Sequence, residues 1–117
     1  MGGRMDQRRS ERKDTLNFLD IEHVARKGEV LNQGMGRTLD VSSVGLKLET
    51  HIPLTPGEIL QVAIGLDDDV VNLQGRIVHV AQVERDLYHA GVDFVDLDSE
   101  GQRVLNRYLE AFKAANS

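Results

Sequence analysis

The stretch Asp40-Val41-Ser42-Ser43-Val44-Gly45-Leu46-Lys47-Leu48-Glu49 begins as a polar turn and ends in strict alternation. Val44, Leu46 and Leu48 alternate with Gly45, Lys47 and Glu49, the pattern of a strand with one buried and one solvated face. The same two-residue period extends in both directions. Downstream, Pro53 and Pro56-Gly57 mark a loop, after which Leu60, Val62, Ile64 and Leu66 alternate. Val70 to Val83 is a long β-branched run in which Gly75 reads as a bulge. Arg85-Asp86 turns the chain, and Tyr88, Ala90, Val92 and Phe94 alternate with His89, Gly91 and Asp93. Upstream, Leu16, Phe18, Leu19, Ile21 and Val24 form an imperfectly alternating run that ends at Lys27-Gly28. Glu29-Val30-Leu31 then leads into Gly34-Met35-Gly36, where two glycines predict a bend or bulge.

Beyond Phe94 the apolar period lengthens to that of a helix. Val104, Leu105, Tyr108, Leu109 and Phe112 fall on one helical face. Ser99-Glu100-Gly101-Gln102 reads as a capping box with Ser99 as the N-cap, and the helix is expected over about residues 99–115. About six short strands followed by one amphipathic helix predict an all-β fold, a small antiparallel barrel with the terminal helix over one open end.

The 117 residues suit a single domain. The absence of cysteine excludes disulfide scaffolds, thiolate metal sites and cysteine nucleophiles, and fits a reducing cytoplasm. No apolar run approaches a membrane span and no apolar leader follows the N-terminal charges, so a cytoplasmic protein without membrane insertion is expected. The net charge of −5 is unevenly distributed. Residues 1–13 carry five basic groups (Arg4, Arg8, Arg9, Arg12 and Lys13) against two acidic ones, whereas the other 104 residues carry nine basic and seventeen acidic groups. Residues 1–14 also lack the apolar content to order by burial, which predicts a flexible basic arm ahead of a single domain at 15–117. An acidic body with so few aromatic residues argues against a DNA or RNA binder that stacks bases.

Catalytic signals are absent. His23, His51, His79 and His89 are dispersed and are expected on the surface, and no phosphate loop or nucleophile elbow occurs. Asp67-Asp68-Asp69 lacks the alternating spacing of a calcium loop and reads as a solvated hairpin tip. No catalytic residue, metal site or cofactor is assigned. Two clusters carry chemistry. Arg8, Arg9 and Arg12 place three guanidiniums within five residues, and each can fork onto a phosphate or onto guanine O6 and N7. Asp40 supplies a pure acceptor for the N–H groups of guanine, Ser42 a hydroxyl, and Gly45 a point where a ligand or a backbone can approach without a Cβ. Taken alone, the second cluster also fits an ordinary Asp/Ser turn closed by local backbone hydrogen bonds.

In order and setting, Arg8-x-x-x-Arg12 followed by Asp40-x-Ser42-x-x-Gly45 resembles the PilZ domain family, bacterial receptors for cyclic di-GMP. Gly45 to Thr50, Pro56-Gly57-Glu58, Gly75 to Val78 and Gly91 to Phe94 are similar to the strands and loop that come after those motifs in the family. The resemblance implies a six-stranded antiparallel PilZ-type β-barrel with a C-terminal α-helix. It implies that Arg8 and Arg12 grip guanine and phosphate, with Arg9 in support, and that Asp40, Ser42 and Gly45 form the barrel side of the site. A stand-alone receptor of this kind would pass its signal to a downstream protein in motility or biofilm regulation by a change of conformation. The alternative is a PilZ-fold adaptor that binds no nucleotide. Two departures from the family pattern matter: His79 stands where a Trp is frequent, and Gln7 stands where ligand-pair binders tend to have a base, which implies one ligand per domain.

Overall fold

The computed structural model describes residues 18–25, 27–66 and 69–116, with the side chains at positions 66, 69, 71 and 116 left aside. The chain forms β1 (Phe18–Val24), β2 (Val30–Val41), β3 (Gly45–Thr50), β4 (Ile59–Leu66), β5 (Asp69–Glu84), β6 (Leu87–Phe94) and α1 (Ser99–Asn116). All strand pairs are antiparallel, and the order β1-β2-β3-β6-β5-β4 closes on itself through the β1–β4 ladder. The expected six-stranded barrel with one C-terminal helix is therefore what forms. Asp67 and Asp68, expected from the sequence in a hairpin tip, lie outside the described residues, between the paired Leu66 and Asp69.

The alternation in the sequence supplies the barrel interior. Leu19 and Ile21 of β1, Leu46 and Leu48 of β3, Leu60, Val62 and Ile64 of β4, Leu73 and Ile77 of β5, and Ala90 and Val92 of β6 are all buried. Each obeys the strand period of two, which brings every second side chain to one face. Leu105, Tyr108 and Phe112 of α1 join the same apolar cluster. Tyr108 and Phe112 also stack, with ring centroids 6.1 Å apart. The buried hydroxyls of Tyr108 and Thr38 share a 2.9 Å hydrogen bond, which ties the helix to β2.

Four local expectations need correction. The helix N-cap is Asp98, not Ser99: its Oδ1 accepts the Gly101 amide at 2.7 Å, and its carbonyl accepts the Gln102 amide at 2.8 Å. A carboxylate here also meets the positive end of the helix dipole, which a serine hydroxyl does not match. Gly34 and Gly36 lie in the regular β1–β2 ladder without a bulge. Gly34 is there for space, since a Cβ would fall 2.6 Å from Ile52 Cδ1. Gly75 also stays in register, and its missing Cβ makes room for the Val92 side chain. The β5–β6 register shifts further along, between Ile77 and His79 and again between Gln82 and Glu84. Finally, His23 is buried, at 3 % exposure, on the Leu19–Ile21 face of β1, where its Nε2–H donates to Glu58 Oε1 at 2.7 Å. The carboxylate partner makes a polar ring tolerable inside. His51 and His79 are exposed, as expected.

Tyr108→Phe is expected to cost about 1–3 kcal/mol, because it strands the buried Thr38 hydroxyl. Burial holds the Tyr108 phenol above its ordinary 10.0, a shift partly offset by the Thr38 bond. The neutral phenol is thus favoured in the folded state, and its contribution is complete below pH 10.0 and lost as pH rises through the folded value. Chemical denaturation should show a lower midpoint for Tyr108→Phe at neutral pH and a shallower alkaline loss than wild type. Equal midpoints would remove the Tyr108–Thr38 bond from the account of stability.

Candidate functional site

Gly36 and Thr38 of β2 point inward and are buried, so an unbroken strand would turn Asp40 inward as well. It does not, because the β2–β3 register shifts between Thr38 and Asp40: Thr38 pairs with Leu48, and Asp40 pairs with Lys47. Leu39 is the extra residue, and this bulge re-aims the side chains after it. Asp40 becomes exposed and Val41 becomes buried, paired with Leu46. Asp40 is therefore a strand residue on the outer face of the barrel. The connecting turn is confined to residues 42–44.

Ser42 builds that turn. Its amide donates to the Gly45 carbonyl at 2.8 Å, and its hydroxyl donates to the same carbonyl at 3.3 Å. The hydroxyl oxygen in turn accepts the Val44 and Gly45 amides, each at 3.3 Å. Ser42 thus makes the local backbone bonds of a serine turn, while its side chain stays at the surface. Alternation alone would make Val44 the first core residue of this strand. Instead it is 71 % exposed on the turn, and its carbonyl accepts the Phe94 amide at 2.9 Å. The core face of β3 starts at Leu46.

Gly45 is buried, and a Cβ there would collide with the Val92 carbonyl of β6. The glycine is required by backbone packing between two strands. Asp40 Oδ1 accepts the Val41 amide at 3.0 Å, and no described residue donates to Oδ2. Asp40 and Ser42 are thus brought together at one exposed corner, with Gly45 as its support. Arg8, Arg9 and Arg12 lie outside the described residues.

The pairing extends the corner into a surface. Asp40 is opposite Lys47, Lys47 opposite Gly91, and Gly91 opposite His79, in one row across β2, β3, β6 and β5. Sequence reading passes over Lys47, although it occupies an outward slot between Leu46 and Leu48. Only the pairing register places it beside Asp40. The neighbouring row is internally satisfied. Glu49 accepts from Arg37 Nη2 at 3.1 Å and from His89 Nε2 at 2.9 Å. The His89 hydrogen bond, with help from Arg37, holds the Glu49 carboxyl below its ordinary 4.5 against the opposing effect of burial. This row is a clamp between strands, and Asp40, Lys47 and His79 are the exposed polar groups of the row beside it.

Asp40 and Ser42 are both exposed at the corner. A groove of about 530 Å³ runs on a different face, lined by Asp20, Glu22, Gln33, Met35, Gln61 and Ala63 of β1, β2 and β4. Among the described residues, no group of His, Asp or Glu is arranged to hold a metal ion, and no helix is long and apolar enough to cross a membrane.

A closed six-stranded antiparallel barrel with a polar corner on its outer face places the chain among the small β-barrel domains. The chain matches the PilZ domain family over residues 6–111 and belongs to it. PilZ domains are binding and regulatory domains, and the family is one of cyclic di-GMP receptors. Solved structures agree on the fold. The PilZ domain of CeSA from a cellulose-synthesizing bacterium superposes with a TM-score of 0.63 at 15 % identity, covering 84 % of this chain and 95 % of that one. MrkH of K. pneumonia gives 0.63 at 17 % identity, covering 86 % of this chain but 46 % of its own length. The PilZ domain of YcgR from Escherichia coli, solved with c-di-GMP, gives 0.61 at 12 % identity and covers 84 % of each chain. No curated protein matches the sequence significantly.

Two outcomes are expected. Gly45→Ala should lower the melting temperature, by about 1–3 kcal/mol of stability, because strand β3 must move off Val92. An unchanged thermal transition would refute the packing role. The Glu49 carboxyl contributes stability above pH 4.5 that is lost as pH falls through its lower folded value. In His89→Ala its NMR titration should move back up toward 4.5, and an unmoved titration would show that the bond is not what holds it down.

Proposed function

We propose that this PilZ domain binds cyclic di-GMP between its N-terminal basic arm and the outer corner at Asp40 and Ser42. The observation that carries the reading is the exposed Asp40 carboxylate, turned out of the core by the Leu39 bulge, in a family of cyclic di-GMP receptors. A carboxylate only accepts, and the N1–H and N2–H₂ groups of guanine only donate. Arg8 and Arg12 supply the opposite chemistry for phosphates and for guanine O6 and N7, with Arg9 as a further cation. Asp40 and Ser42 are exposed at the corner, and in this reading the arm provides the second wall of the site. The YcgR domain, solved with c-di-GMP, supports the assignment at the level of fold.

Closure of the arm over a dianionic ligand would change the surface presented to a downstream protein, and that change is the output. No catalysis and no cofactor are required. The setting that fits is the bacterial cytoplasm, where cyclic di-GMP controls motility and biofilm formation. The alternative, an adaptor that binds no nucleotide, has one observation on its side: the groove of about 530 Å³ lies away from the motif corner.

Isothermal titration of the full chain separates the two. Saturable binding of cyclic di-GMP, with cyclic di-AMP and GTP binding far more weakly, is expected. Arg8→Ala, Arg12→Ala and Asp40→Ala should each lower the affinity about tenfold or more while far-UV circular dichroism stays unchanged. Absence of heat with cyclic di-GMP would discard the receptor and leave the adaptor.

A further inference from the structure

The proposed receptor assigns the barrel side of the site to Asp40 and Ser42. We infer that Lys47 completes the guanine-reading edge, its ammonium donating to O6 while the Asp40 carboxylate accepts from N1–H and N2–H₂; this inference rests on the cyclic di-GMP reading above. The first support is register. Asp40 and Lys47 are direct cross-strand partners past the bulge, and both side chains are exposed on the same face. Such partners have Cβ atoms about 5 Å apart, within reach of adjacent groups on one base edge.

The second support is that Lys47 has no other engagement among the described residues. Among the described residues it meets no carboxylate, and its partner Asp40 takes only a backbone amide. Arg37, one row away, is already held by Glu49. Lys47 is thus the cation beside Asp40 that is free to serve a ligand. The third support is the space beyond it. The next residue in the row is Gly91, which presents no side chain, so the nearest side chains beyond Lys47 on that side are those of Val78 and His79 on β5.

The chemistry then discriminates. Along its Watson–Crick edge guanine presents two donors and one acceptor, matching a carboxylate beside an ammonium. Adenine presents an acceptor where Asp40 needs a donor, and an amino group where Lys47 needs an acceptor. Both contacts fail together, so Lys47 acts as a specificity residue and not only as a point charge for phosphate.

The test is isothermal titration of wild type, Lys47→Met and Lys47→Arg with cyclic di-GMP and cyclic di-AMP, with melting temperatures as a check on folding. Methionine keeps much of the stem and removes the charge. Lys47→Met is expected to lose about tenfold or more in affinity for cyclic di-GMP, to change little toward cyclic di-AMP, and to melt as wild type does. Lys47→Arg should retain most of the binding. An unchanged cyclic di-GMP affinity in Lys47→Met, with wild type binding, would overturn the role of Lys47 alone. Equal losses for both dinucleotides would overturn base reading in favour of a phosphate contact. No binding by wild type would overturn the receptor reading and this inference with it.

Discussion

One extra residue in β2 organises the outer face of this barrel. At Gly36 and Thr38 the even-numbered positions of the strand face the core, and after Leu39 the parity is reversed. The shift costs one irregular step in the ladder, which the surrounding pairs absorb. Its result is that the carboxylate of Asp40 faces water while Val41 fills the core slot opposite Leu46. Without the bulge, the same sequence would bury a charge beside Thr38 and expose a valine, a penalty of several kcal/mol. The motif corner exists because the fold accepts this one irregularity.

The second constraint is the crowding around Val92. Its carbonyl occupies the space a Gly45 Cβ would need, and its side chain occupies the space a Gly75 Cβ would need. Two glycines on flanking strands let β3, β6 and β5 close tightly at this level. The turn before β3 is then held by Ser42 from within and by the Val44–Phe94 hydrogen bond from the side. Ser42 and Gly45 therefore fix where Asp40 sits. A substitution at either position alters ligand chemistry and barrel geometry together, and the two effects need separate measurements.

The barrel and the helix are legible in the sequence because both rest on periodicity: Leu60, Val62 and Ile64 on one face of a strand, Leu105, Tyr108 and Phe112 on one face of a helix. Expectation and structure part where a single residue departs from that period. Glycines mark bulges only statistically, and here Gly34 and Gly75 mark close approaches while the register shifts fall at Leu31, Leu39, Val78 and Val83. His23 goes inside against expectation because its carboxylate partner, Glu58, is distant in sequence. Within the site, the local turn of Ser42 is legible. The partnership of Asp40 with Lys47 is not, since it depends on a register that a one-residue insertion resets. Arg8, Arg9 and Arg12 enter through their chemistry in the sequence, outside the described residues.

Closure of the sheet through β1 and β4 has a consequence for recognition by other proteins. The long strands β2 and β5 run on past one neighbour over much of their length, but at the level where the sheet closes every strand is paired on both sides, and that closed girdle offers no vacant row of amides and carbonyls to an incoming peptide. Strand addition, a common way for β-proteins to capture extended segments, is closed to it. Whatever docks on the barrel wall must read side chains. The wall's vocabulary is then the outward half of each strand, in which neighbouring substitutions can change partner choice while the inward half keeps the fold.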